Sequence, residues 1–178
     1  YATYLNNVFH DDDGFQAVAS AWALEEVQHG AALARWAKLA DPDFDFDASF
    51  KRFTDGYRIT LDVNASVRGS RSGELVARCI VETGTSSYYT ALAEACAEPV
   101  LHAICRKIAA DELRHYKLFY THLNRYLDQE GLGAFGRVKV ALSRITESED
   151  DELAYAYYAA NHAAEPYERK RFSMARSE

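Results

Sequence analysis

Two short stretches decide the fold: WALEEVQHG at residues 22–30 and IAADELRH at residues 108–115. Each stretch holds a glutamate and a histidine three positions apart. The two pairs are Glu26 with His29 and Glu112 with His115. Residues three apart lie side by side on one face of an α-helix, so both side chains of a pair can reach the same ion. The spacing therefore predicts two helices that each aim a carboxylate and an imidazole in one direction.

Both pairs interrupt faces that are otherwise apolar. Helical steps around the first pair pass through Phe15, Ala19, Trp22, Leu33 and Trp36, and around the second through Leu101, Ile104, Ile108, Phe119, His122 and Tyr126. A third face runs through Leu75, Cys79, Glu82, Ser86, Tyr89 and Ala93. Burying a carboxylate or an imidazole is costly unless the group is paired or binds a cation. We therefore expect these acids and histidines to share a cation at the centre of a helical bundle.

The donor types indicate which metal this would be. Paired Glu-x-x-His motifs on two helices, with single glutamates on two others, are typical of di-iron and di-manganese bundle proteins. Carboxylate oxygens and imidazole nitrogens suit two iron ions, with manganese as the alternative. The three cysteines lack CxxC spacing, which argues against an iron–sulfur cluster and favours reduced core thiols. The predicted metal ligands are Glu26, His29, Glu82, Glu112 and His115.

Periodicity and turn residues predict an all-α protein with one domain over residues 1–178. The expected long helices cover 15–39, 73–97 and 100–129, and the expected shorter ones cover 48–57, 135–146 and 150–164. Residues 1–9 are expected to be the tail of a helix whose beginning is missing. Since Glu82 lies 30 positions before Glu112, a fourth carboxylate is expected about as far before Glu26, on that missing part.

Two acidic residues next to the ligands are candidates for orienting the histidines. Metal-bound histidines usually donate their second ring N–H to a carboxylate. Asp111 is the candidate partner of His29 and Glu25 that of His115; the alternative is that both acids face solvent. The small residues 84–87 either leave room for dioxygen or a substrate beside the metals, or allow a close contact between helices.

Composition excludes several other classes of protein. The net charge of −7 argues against a general nucleic-acid binder. The sequence contains no uninterrupted apolar stretch of the roughly 18 residues that a membrane span needs. We expect a cytoplasmic protein.

These motifs resemble those of the ferritin-like superfamily, and most closely the soluble acyl-carrier-protein desaturases. Residues 22–30 are similar to a Trp-x-x-Glu-Glu-x-x-His-Gly signature, and residues 108–115 to an Asp-Glu-x-Arg-His motif. Glu82 with Thr85 resembles a Glu-x-x-Thr pattern, and the resemblance implies that Thr85 assists proton or oxygen handling. Gln28 stands where desaturases often carry arginine. The implied fold is a ferritin-like four-helix bundle with additional C-terminal helices.

The resemblance also implies an activity. A di-iron centre would activate dioxygen and remove two hydrogens from an acyl chain, with Glu26 or Glu112 bridging the metals and the histidines terminal. The implied partners are acyl carrier protein or another apolar substrate, a ferredoxin-like electron donor and a second copy of the chain in a homodimer. Two alternatives stay open: another di-iron oxidase or hydroxylase, and a non-catalytic protein that binds or stores iron.

Overall fold

The computed structural model describes residues 1–148, 151–162 and 164–168. These residues form seven α-helices and no strand, which confirms the predicted all-α helical bundle. The helices are α1 (Ala2–Val8), α2 (Asp13–Ala40), α3 (Phe46–Gly56), α4 (Arg71–Ala95), α5 (Pro99–Glu130), α6 (Ala134–Ser148) and α7 (Asp151–Asn161). The last dozen residues are mostly polar, and the sequence predicts that they are extended or loosely docked; most of them lie outside the described part.

Local capping explains where the long helices begin and end. Ser70 accepts a hydrogen bond from the backbone N–H of Gly73, which caps α4. The Glu98 carboxylate accepts hydrogen bonds from two backbone N–H groups at the start of α5. Pro99 suits the first helical position because it has no backbone N–H that would need a partner. Gly131 ends α5 at φ 67°, in the left-handed region that favours glycine.

The chain divides into two compact units, and the long helices supply most of the first. This unit comprises Tyr1–Leu33 and Thr60–Arg144, which include α1, α4, α5, most of α6 and the larger part of α2. Its core combines aromatic and aliphatic side chains, and the ring centroids of Phe9 and Phe15 lie 4.0 Å apart within it. Whether the whole chain is one domain, as the sequence predicts, stays a prediction.

Two acidic side chains of the first unit are held by specific donors. Glu74 is fully buried, and its carboxylate accepts hydrogen bonds from the hydroxyls of Tyr1, Tyr4 and Ser66 at 2.6, 2.9 and 2.6 Å. Asp12 accepts bonds from the Tyr126 hydroxyl at 2.6 Å, from the Phe15 backbone N–H at 3.0 Å and from the Arg125 guanidinium. These contacts tie α1, the α1–α2 turn and the loop before α4 to the long helices.

The second unit comprises Ala34–Ile59 and the described residues after Arg144. Within it, α3 packs on α7, and the Arg52 side chain donates to the carbonyl of Ala159 at 2.8 Å. A side chain at Gly56 would force Tyr155 to move, because a Cβ atom at this position would lie 1.7 Å from the Tyr155 hydroxyl. Among the helices of the described part of the chain, none combines the length and apolar character that a membrane crossing needs.

Candidate metal centre

The three long helices bring four of the predicted ligands to one point in the first unit. One donor atom from each of Glu26, Glu82, Glu112 and His115 lies within 4.8 Å of the other three. Glu82, Glu112 and His115 are buried, whereas the Glu26 side chain is 35% exposed. Buried acids this close to one another repel unless a cation or protons lie among them.

Glu26 and Glu112 each present one carboxylate oxygen to each imidazole. For Glu26, Oε1 lies 3.2 Å from Nδ1 of His115 and Oε2 lies 3.5 Å from Nδ1 of His29. For Glu112, Oε1 lies 3.4 Å from Nδ1 of His29 and Oε2 lies 3.8 Å from Nδ1 of His115. Glu82 instead approaches His115, at 3.6 Å from Oε2 to Nδ1. Nδ1 of His115 therefore has three glutamates near it, whereas Nδ1 of His29 has two.

The second ring nitrogen of each histidine is held by a carboxylate of the other helix. Nε2 of His29, on α2, lies 3.1 Å from Asp111 on α5, and Nε2 of His115, on α5, lies 3.1 Å from Glu25 on α2. The two predicted pairs are thus present as contacts, and their role toward a metal stays a prediction. These contacts assign the N–H to Nε2 and leave each Nδ1 aimed at the glutamates.

The geometry fits a metal better than it fits an ordinary polar core. Nδ1 of His29 and Nδ1 of His115 are both buried and have no hydrogen-bond partner among the described residues. In a neutral imidazole with its proton on Nε2, the Nδ1 lone pair faces the carboxylate oxygens, which is repulsive. A cation between them removes that repulsion, and hard oxygen and imidazole donors suit iron or manganese.

Without a metal, protons take the place of the cation. Burial alone would lower the pKa of each imidazole, but the nearby carboxylates outweigh it and raise the pKa of His29 to about 10 and that of His115 to about 12. Burial raises the pKa of Glu82 to about 7. For Glu112, burial would raise the pKa, but the two nearby histidines outweigh it and lower the pKa. Perturbed groups of this kind cluster at functional sites.

The small residues of α4 that follow Glu82 differ in what they contact. The Thr85 hydroxyl lies 2.8 Å from Oε2 of Glu112, where it can donate a hydrogen bond, and two backbone carbonyls of its own helix compete for the same proton. The Ser86 hydroxyl donates to the carbonyl of Ala109 at 2.8 Å, which makes it part of a close α4–α5 contact. A Cβ atom at Gly84 would meet no atom within 4 Å.

The sequence analysis assigned no role to two arginines near the centre, although Arg114 is the arginine of the Asp-Glu-x-Arg-His motif. Arg114 contacts both Glu25 and Asp111, and Arg78 lies 8% exposed with Nε 3.9 Å from Oε1 of Glu82. The contact between Arg78 and Glu82 could have been predicted from their spacing, because Arg78 precedes Glu82 by one helical turn. Arg114 lies three residues after Asp111, but its second contact is with another helix and leaves no signal in the sequence.

Comparison with known proteins places the chain in a family. Residues 1–146 match the family model described as fatty acid desaturase. The searches of curated proteins and of solved structures gave no match. The matched part includes every residue of the candidate metal centre and covers most of the chain. The chain therefore belongs to the fatty acid desaturase family.

Proposed function

We propose that the chain holds two iron ions on a ferritin-like scaffold and is a dioxygen-activating desaturase of acyl chains carried by acyl carrier protein. The single observation that carries the proposal is the convergence of Glu26, Glu82, Glu112 and His115 within 4.8 Å. The orphaned Nδ1 atoms of the two histidines support it. Membership of the fatty acid desaturase family supplies the reaction class.

In this proposal the position of each carboxylate decides which of the two ions it would bind. Glu26 and Glu112 would each help to hold both ions, because each directs one oxygen toward each histidine. His115 and Glu82 would hold one ion, and His29 would help to hold the other. Bound iron would supply dioxygen activation and the removal of hydrogen from an unactivated C–H bond.

Thr85 holds a proton beside the centre. Its hydroxyl donates to Oε2 of Glu112 at 2.8 Å, so a change in the charge of that carboxylate is felt directly at the hydroxyl proton. A hydroxyl can turn from this oxygen to a carbonyl of its own helix without breaking the fold. We propose that Thr85 relays a proton: its hydroxyl passes one proton to the Glu112 carboxylate as it accepts another from a water molecule, so that the threonine oxygen stays neutral.

The partners are proposed from the resemblance alone. Electrons would come from a ferredoxin-like donor, the apolar substrate would arrive on acyl carrier protein, and the chain would act as a homodimer. The free thiols of Cys79, Cys96 and Cys105 suit a reducing compartment such as the cytoplasm.

The test is metal analysis and an optical spectrum of the protein, followed by incubation with an acyl-carrier-protein substrate, reductant and dioxygen. The proposal expects about two irons per chain and an olefinic product. An alcohol product would identify a hydroxylase instead, and iron uptake without any acyl product would identify an iron-binding or storage protein. Absence of bound iron would overturn the proposal at its first step.

A further inference from the structure

We propose that Arg114 is a positioning residue that orients both imidazoles of the candidate metal centre at once. Its guanidinium joins Asp111, the partner of His29, to Glu25, the partner of His115. The inference rests on the metal-binding part of the proposed function and deepens it. It concerns residues of the chain itself and needs no property of a substrate.

The contacts form one continuous chain across two helices. Asp111 contacts His29 through Oδ2 and Arg114 through Oδ1, so both oxygens of this carboxylate are engaged. Glu25 accepts from Arg114 and from His115 on the same oxygen, each at 3.1 Å. Each histidine is therefore oriented by an acid from the opposite helix, and one arginine holds both acids.

Exposure explains why the two acids need such a residue. The side chains of Asp111 and Glu25 are 26% and 41% exposed. A carboxylate in that position would otherwise be free to rotate toward water, and the imidazole N–H would lose its acceptor. The planar, forked guanidinium can engage two carboxylates simultaneously, whereas the single ammonium of a lysine cannot reproduce that geometry.

A role in stability alone does not account for this arrangement. The Arg114 side chain is 59% exposed, and ion pairs at such positions contribute little to folding. What the arginine does control is the direction of two imidazole rings whose Nδ1 atoms point at the candidate ligands. Partners of metal-bound histidines typically affect metal affinity by 10–100-fold, and Arg114 acts on two such partners.

The first test reads the imidazoles directly in the metal-free protein. Nitrogen-15 NMR spectra of His29 and His115 are recorded for the natural chain, Arg114→Ala, Arg114→Lys and the control Arg106→Ala. Arg106 is exposed and lies on the same helix, so its replacement removes the same charge. We expect the Nε2–H signals of both histidines to broaden or exchange faster in Arg114→Ala, partly in Arg114→Lys, and not in the control. Unchanged signals in Arg114→Ala would overturn the inference.

The second test measures affinity for Zn²⁺, used as a diamagnetic probe, by competition with a chelator. Arg114→Ala should bind Zn²⁺ about tenfold more weakly than the natural chain. In a Glu25→Gln background the further effect of Arg114→Ala should shrink, because one of its two targets is already gone. Equal affinities, or strictly additive losses, would refute coupling through the arginine. A natural chain that binds neither Zn²⁺ nor iron would refute the proposed function, while the NMR comparison would still decide the role of Arg114.

Discussion

Replacing Glu82 by glutamine should stabilise the metal-free protein and strongly reduce its stabilisation by metal. Glu82 is 2% exposed, and burial raises its pKa from 4.5 to about 7. An acid whose folded pKa is raised binds more protons in the folded state than in the unfolded state between these two values. The free energy of unfolding therefore falls as the pH rises from 4.5 to 7, and the full cost applies above pH 7.

The expected change in the free energy of unfolding follows from the size of the Glu82 pKa shift. A change from 4.5 to about 7 corresponds to about 3 kcal/mol, because each pKa unit is worth about 1.4 kcal/mol. The glutamine amide stays neutral at every pH and can replace the protonated acid as a donor to Glu112. At pH 8 the variant should therefore melt roughly 6–12 °C above the natural chain in the presence of a chelator. Near pH 4.5 the difference should vanish.

The matched control lies two helical turns earlier on α4. Glu74 is also fully buried, but three hydroxyl groups donate to its carboxylate. Glu74→Gln replaces charge-assisted hydrogen bonds by weaker ones and should lower the free energy of unfolding by about 2 kcal/mol. Two buried glutamates of one helix are thus expected to respond to the same substitution with opposite signs.

The assay is thermal and urea unfolding at pH 8 and near pH 4.5, with chelator and then with Zn²⁺ or Fe²⁺. Metal at 100 times its dissociation constant should stabilise the natural chain by about 2.7 kcal/mol and Glu82→Gln by much less. A Glu82→Gln protein that is less stable than the natural chain at pH 8 without metal would contradict the reasoning. A gain in the stability of Glu82→Gln that is equally large at pH 8 and near pH 4.5 would also contradict it.

Three further outcomes are expected. Thr85→Ala should keep the iron content but lower oxygen-dependent turnover, measured against Thr83→Ala, whose hydroxyl bonds only carbonyls of its own helix; unchanged turnover would count against Thr85. Asp12→Asn should lose about 2 kcal/mol of unfolding free energy at pH 7, and this difference should disappear as the pH falls from about 4 through about 2. The reason is that its arginine and tyrosine partners outweigh burial and lower the Asp12 pKa from 3.8 to about 2; the measurement is urea unfolding across that range. His115→Ala should lose the tighter metal equivalent and His29→Ala the weaker one in a metal titration, and the reverse order would refute the division of ligands.

The sequence was sufficient to predict the helices and their inward faces, because both depend on helical periodicity. Helical periodicity placed Glu26, Glu82 and Glu112 on the predicted inward faces of three helices. Each of these glutamates shares its face with large apolar residues, so the face that carries the glutamate is also the one that packs inward. Helix ends came within two residues for α2, α4 and α5, because prolines, glycines and capping side chains act locally. These features are fixed by residues close together in the chain.

What the sequence could not predict depends on contacts between distant residues. Glu74 looks like an ordinary acid in the first turn of a helix, and only the fold brings two tyrosines some 70 residues earlier to its carboxylate. The link from Arg114 to Glu25 spans 89 positions. The division into two compact units leaves no local signal in the sequence, because α2 runs through the boundary without a break in its helical pattern.

Metal binding and metal-free stability should respond to pH in opposite directions, because the same side chains govern both. Below pH 6.5 the raised pKa values of His29 and His115 contribute their full stabilisation to the metal-free fold, and this contribution fades as the pH rises toward about 10 and 12. Glu82 weakens the metal-free fold over the range from 4.5 to 7. A metal ion must displace these same protons to reach the nitrogens and oxygens, so its affinity rises with pH. On the proposed function, the centre would be an exchange site in which protons hold the acids together until a metal replaces them.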